Sequence, residues 1–129
     1  MRVKKIDHIT VNVKDLKKSF EFYEKVLGLE KLNTVDMGDH ILHYYRLFEG
    51  CRLELIEYFG ERKGLVASST DLGIYRHFAV IVDNLDEIKR ICEQNGYVIN
   101  LPPTYIENIK CKIMLIQDPN GVEIETIEG

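Results

Sequence analysis

The segment Gly121-Val122-Glu123-Ile124-Glu125-Thr126-Ile127 has a near twin earlier in the chain, Gly50-Cys51-Arg52-Leu53-Glu54-Leu55-Ile56. Both read glycine, two residues, an aliphatic residue, glutamate, one residue, isoleucine. A tight-turn signal precedes each, Glu49-Gly50 in one case and Asp118-Pro119-Asn120-Gly121 in the other, so each reads as the outgoing arm of a hairpin. A second stretch repeats too. Residues 6–16 align with residues 75–85 and place His8 on His77. The histidines are offset by 69 residues and the glutamates, Glu54 and Glu125, by 71, so one duplication with a two-residue change in loop length accounts for both pairs. Such self-similarity constrains the architecture more strongly than any single propensity.

Each repeat then supplies the same order of elements. From Ile6 to Val13 the residues alternate, with Ile9, Val11 and Val13 on one face and His8, Thr10 and Asn12 on the other. The aliphatic face needs a cover. Leu16 to Leu27 provides it as a helix with Leu16, Phe20, Tyr23 and Leu27 at helical spacing, Asp15 as N-cap and Gly28 beyond its end. Extended runs follow at Leu29 to Asp36, Ile41 to Phe48 and Cys51 to Tyr58. The exposed, aperiodic stretch Phe59 to Leu72 separates the halves. The second half gives a strand at Arg76 to Val82 and a helix at Leu85 to Asn95, stopped by Gly96. A short strand at Tyr97 to Leu101 is expected to end at Pro102-Pro103, because proline donates nothing to a ladder. Strands at Lys110 to Gln117 and Gly121 to Ile127 complete it.

The expected fold is α+β. Two tandem βαβββ modules, about residues 4–59 and 75–129 with a linker at about 60–74, form one domain over residues 1–129. Their curved, partly open mixed sheet is expected to surround a metal-binding cleft.

Composition narrows the function classes. A length of 129 residues with 45% hydrophobic content suits a compact core, and 17 basic against 21 acidic residues give a formal charge of −4 with no basic run. Nucleic acid is not an expected partner. No apolar stretch approaches the roughly 20 residues that cross a bilayer, and Met1-Arg2-Val3-Lys4-Lys5 runs straight into a strand, so the reading is cytoplasmic with no membrane partner. Cys51, Cys92 and Cys111 lack metal-knuckle spacing and read as free thiols.

The duplicated residues carry the chemistry. His8 and His77 lie opposite the helix-packing aliphatics, and the apolar neighbours of Glu54 and Glu125 point away from them, so all four can converge in one concavity. Two imidazoles and two carboxylates suit a borderline divalent ion, with positions left open for water or substrate.

The segment IDHITVNVKDLKKSFEFYEKVLGLE, its echo YRHFAVIVDNLDEI and the ending DPNGVEIE resemble the vicinal-oxygen-chelate superfamily. That superfamily includes glyoxalase I, bleomycin-resistance proteins, methylmalonyl-CoA epimerase and extradiol dioxygenases, and the likeness covers almost the whole chain. The resemblance implies metal-binding roles for His8, Glu54, His77 and Glu125, with Ni, Co, Zn, Mn or Fe as the ion. The order His, Glu, His, Glu looks most like the bacterial, nickel- or cobalt-using glyoxalase I pattern. It implies a lyase or isomerase that moves a proton on a small carbonyl substrate through an enediolate, with Glu125 as first choice of general base and Glu54 as second. The alternatives are an epimerase-like or dioxygenase-like metalloenzyme, or a metal-free binding protein of the bleomycin-resistance kind. Family members pair modules within or between chains, so a homodimer is expected. Where bacterial glyoxalase I commonly carries an Arg and an Asn for the glutathione glutamyl group, this chain has Asn12 and Tyr58. Tyr44, Arg46, Lys112 and Met114 are placed on strands expected to line the cleft.

Overall fold

A computed structural model describes all residues, Met1 to Gly129. The chain divides into two compact units, Met1–Lys63 and Gly64–Gly129. The first holds β1 (His8–Asn12), α1 (Leu16–Lys25), β2 (Glu30–Asp36), β3 (His40–Phe48) and β4 (Cys51–Tyr58). The second holds β5 (His77–Val82), α2 (Leu85–Asn95), β6 (Ile99–Ile106), β7 (Cys111–Gln117) and β8 (Glu123–Glu128). Each unit is thus one βαβββ module with one helix and one four-stranded mixed sheet, ordered β1-β4-β3-β2 and β5-β8-β7-β6. In both, the first strand runs parallel to the last and the remaining pairs are antiparallel. The α+β expectation and the repeat hold.

The alternation decides which face the helix covers. In the first unit Val11, Tyr45, Leu53 and Leu55 are buried, and they lie on the face opposite His8 and Glu54. Phe20 and Tyr23 of α1 reach this layer, Phe20 with its ring edge-on to His43 at 5.3 Å and Tyr23 at 6.5 Å from the Tyr45 ring. In the second unit Phe78, Met114, Ile116 and Ile124 form the equivalent layer, and α2 buries Leu85, Ile88 and Cys92. Burial raises the Cys92 thiol to about 11, so it stays protonated, which fits an unreactive core cysteine.

Both helices start as their sequences indicate. Asp15 accepts from the Lys18 amide at 3.0 Å, and Asn84 accepts from the Glu87 amide at 2.9 Å. Gly96 ends α2 in the left-handed region at φ 71°, a conformation a side chain would resist. Replacing Asp15 with alanine is expected to cost about 1 kcal/mol of unfolding free energy, the usual loss for an N-cap acceptor. Urea denaturation followed by circular dichroism measures it, and no shift in midpoint would mean the cap contributes nothing.

One strand runs further than its sequence suggests. β6 continues through Pro102 and Pro103 to Ile106 rather than ending at Leu101. It lies at the edge of its sheet, and its register with β7 slips between Leu101 and Thr104, where the prolines sit. An edge strand with an irregularity tolerates residues that donate nothing. Residues 59–76 contain no helix or strand, and a turn within them is closed by the Ser68 amide on the Asp71 carboxylate at 2.8 Å.

Candidate functional site

The helix-free face of each sheet carries one imidazole and one carboxylate of the duplicated set. On the first, Thr10 lies directly beside Glu54 on one side and Tyr44 on the other. Directly opposed residues of neighbouring strands share a face, and here they touch. Tyr44 donates its hydroxyl to Glu54 Oε2 at 2.5 Å and Thr10 donates to Oε1 at 3.1 Å. His8 Nε2 stands 3.9 Å from the same Oε1. Glu54 is only 6% exposed, so a buried carboxylate is held by two neutral hydroxyls, with a histidine nearby. The bond to Glu54, followed by burial and the carboxylate's charge, raises the Tyr44 phenol above its ordinary value and keeps it a donor.

The second unit is built differently at matching positions. His77 Nε2 meets Glu125 Oε2 at 3.0 Å, but the residues flanking Glu125 across the sheet are Ala79 and Leu115. Neither side chain donates a hydrogen bond. Glu54 is therefore pinned and Glu125 is held by its histidine alone.

Behind each imidazole stands a further carboxylate. Asp7 Oδ2 lies 2.7 Å from His8 Nδ1 and also accepts from Arg52 Nη2 at 3.1 Å. Those two bonds, His8 first and Arg52 second, lower the Asp7 carboxyl below its usual range, so it remains an anion. Glu123 Oε1 lies 3.3 Å from His77 Nδ1 and 3.6 Å from Arg76 Nε, and is only 8% exposed. His77 Nδ1 and Glu123 Oε1 are buried without hydrogen-bond geometry to any partner. Sequence reading passed over Asp7, Thr10 and Glu123. The signal for Glu123 was present: it sits directly across from His77 in the repeat, where Arg52 sits across from His8.

This arrangement can be tested for a cation. In the first unit, a neutral His8 ring that donates from Nδ1 to Asp7 turns the lone pair of Nε2 toward Glu54. Two acceptors then face each other, and a proton or a metal ion between them removes the conflict. A ligating histidine commonly has a carboxylate on its other nitrogen. The donors in both units fit a borderline divalent ion by type and by backing. In neither unit do three histidine, cysteine or carboxylate side chains gather as a metal-holding group.

The remaining expected cleft residues divide. Tyr44 and Arg46 share the face of Glu54. Met114 does not share the face of Glu125: it is fully buried opposite Thr126, on the helix side, while Leu115 opposes Glu125. Lys112 has the parity of Met114 and extends to Glu128 at 3.8 Å. A one-residue change of position flips a strand residue to the other face, which is why bulk and sequence position misled for these two. Asn12 lies on the His8 face and is exposed. Tyr58 stacks near the His40 ring at 4.9 Å. His40 and His43 are engaged elsewhere, by Asp39 at 2.6 Å and Glu57 at 3.5 Å.

Residues 5–126 match the family model for the Glyoxalase/Bleomycin resistance protein/Dioxygenase superfamily. A lactoylglutathione lyase of Salmonella typhimurium is 30% identical over 128 residues, covering 95% of this chain and 90% of that protein. One from Escherichia coli O157:H7 is 29% identical over 126 residues, covering 94% and 90%. The crystal structure of a glyoxylase/bleomycin resistance protein/dioxygenase domain from Frankia sp. EAN1pec superposes with a TM-score of 0.81 at 20% identity, over 98% of each chain.

Proposed function

The chain belongs to the glyoxalase/bleomycin resistance protein/dioxygenase superfamily, and on that premise we propose that it is a divalent-metal-dependent lyase or isomerase of glyoxalase I type. The observation that carries this reading is the duplicated imidazole–carboxylate pair, each with its histidine backed by a second carboxylate. The lactoylglutathione lyases among its relatives support the enzyme class. His8, Glu54, His77 and Glu125 are the proposed ligands, drawn from one chain or from two.

When bound, the ion would supply a Lewis acid that stabilises negative charge developing on a substrate carbonyl oxygen. The protein's own residues divide the rest. Thr10 and Tyr44 hold both oxygens of Glu54, so Glu54 is assigned a fixed position. Glu125 has no hydroxyl on either oxygen and lies between Ala79 and Leu115, which leaves it free to move a proton between substrate carbon and solvent or a neighbouring carbon. The apolar flank of Ala79 and Leu115 limits water around it.

β1 and β2 are the edges of the first sheet, β5 and β6 those of the second. Open edges favour pairing, so a homodimer is part of the proposal. No helix is long and apolar enough to cross a membrane, and a cytoplasmic location is proposed with it.

The test is deuterium incorporation beside the carbonyl of candidate substrates in D2O, with nickel-, cobalt- or zinc-loaded protein. Glu125→Gln should slow exchange by about 100-fold or more, the usual scale of general-base loss, at a metal concentration raised until the variant's site is filled. Undiminished exchange in that variant would remove Glu125 from the role.

A further inference from the structure

Two arginines directly face each other across the β3–β4 ladder, Arg46 opposite Arg52. Like charges at such positions are destabilising, and each arginine is offset by one exposed carboxylate, Glu30 for Arg46 and Asp7 for Arg52. They line a cavity of about 250 Å³ together with Lys5, Asp7, Leu32 and the highly exposed ring of Phe48. The cavity is wholly within the first unit, and of its lining residues Arg46 and Arg52 lie on the helix-free face that bears His8 and Glu54. Arg52 is two residues from Glu54 along β4, about 7 Å at the rise of an extended strand.

The two guanidiniums are already oriented. Arg52 lies 4.2 Å from the Tyr44 ring centroid and is tied to Asp7, while Arg46 is tied through Nε to Glu30 at 3.0 Å. Each uses one nitrogen for these bonds and keeps further donors for a ligand. Both carboxylate partners are exposed, Glu30 at 67% and Asp7 at 61% of the side chain, and exposed ion pairs contribute little. An incoming anion can therefore share or replace them. At the repeat-equivalent positions the second unit has Gln117 and Glu123, which lie on the face of His77 and Glu125. The basic cluster belongs to one half only.

We infer that this cavity is a subsite for a compact anionic group, a carboxylate or phosphate, carried by the carbonyl substrate about two residues' length from Glu54. The link to a carbonyl rests on the function proposed above; the anion site itself does not. The volume is below the roughly 300 to 1,000 Å³ of pockets that enclose drug-sized ligands, which favours a small acid or phosphate ester over a nucleotide-bearing substrate. Phe48 and Leu32 provide an apolar wall for the carbons between.

Titration of metal-free, full-length protein with inorganic phosphate and, separately, succinate tests the site through the Nε–H resonances of Arg46 and Arg52. Saturable shifts are expected for one or both probes, and whichever binds more tightly identifies phosphate or carboxylate as the group. Arg46→Gln should weaken binding at least tenfold, as loss of a charge-assisted contact does. The variant should melt no lower than the parent without ligand, since it relieves the facing charges. Non-saturable shifts, or equal affinity in the variant, would overturn the subsite. A second arm uses metal-loaded protein and methylglyoxal hemithioacetals of mercaptoacetate and of mercaptoethanol. Proton exchange should favour the anionic adduct by tenfold or more, and Arg46→Gln should bring the ratio toward one. Equal rates in the parent would contradict the subsite's link to the carbonyl. Loss of all exchange with phosphate or succinate still bound would count against the enzyme reading alone.

Discussion

Alanine in place of His8 or His77 is expected to weaken divalent-metal affinity by more than about 100-fold. Loss of a group behind a ligand commonly costs 10- to 100-fold, and removing the ligand itself should exceed that because a methyl group offers no lone pair. Both variants should show the loss, since each removes an imidazole with a carboxylate beside its Nδ1: Asp7 hydrogen-bonded at 2.7 Å in one case, Glu123 at 3.3 Å without hydrogen-bond geometry in the other. A stability readout separates this from misfolding. With metal at 100 times its dissociation constant, the parent should gain about 2.7 kcal/mol of unfolding free energy, by mass action on the native state. Either variant should gain almost none at the same concentration while keeping its metal-free melting temperature. Neither histidine packs in the hydrophobic layer under a helix, so the metal-free fold has little to lose. Metal-dependent stabilisation in both variants equal to that of the parent would remove the histidines from the site.

The methylglyoxal–glutathione hemithioacetal is expected to be a poor substrate, with a specificity constant below about 10⁴ M⁻¹s⁻¹, the lower end for efficient enzymes. A γ-glutamyl carboxylate is best held by a planar, charged, bidentate donor. Asn12 and Tyr58 occupy the places where the glyoxalase I pattern has Arg and Asn, and neither carries a charge. Losing a charge-assisted contact lowers affinity by roughly tenfold to a hundredfold. The Arg46–Arg52 cavity does not replace it, because Arg52 precedes Glu54 on β4 whereas Tyr58 follows it, at the opposite end of the strand. The cation near Tyr58 is Arg62, 5.0 Å from the ring centroid, on an exposed segment beyond β4. The assay is the rise of thioester absorbance with nickel-, cobalt- and zinc-loaded protein. A constant above that bound would refute the prediction and make Arg62→Gln the next variant to measure.

Much of this is legible in the sequence because the chain states its fold twice. Alternation in residues 6–13 and 76–82, a capped helix after each, and paired Gly-containing hairpins fixed the order of elements, and the structure keeps it. The histidine and glutamate positions were legible for the same reason. Three things were not. The prolines of β6 broke the strand on paper because sequence does not say which strand forms an edge. Met114 and Lys112 were placed on a strand expected to line the cleft, but which face each takes depends on where β7 enters register with β8. Thr10, Tyr44 and Arg52 act through cross-strand register, Thr10 and Tyr44 on Glu54 and Arg52 against Arg46. No local pattern reveals that a hydroxyl or guanidinium will stand opposite a given residue of the neighbouring strand. The same register explains what the duplication hides: Thr10 and Tyr44 became Ala79 and Leu115, so two glutamates at matched positions acquired different surroundings.

Elemental analysis of the full-length protein, purified without chelator and then equilibrated with nickel, cobalt, zinc, manganese or iron in turn, tests the central claim most directly. One ion per chain is expected for at least one of these metals, whether the four ligands come from one chain or are shared between two. Retention of no ion from any of them would contradict the duplicated His8–Glu54 and His77–Glu125 pairs as a metal centre.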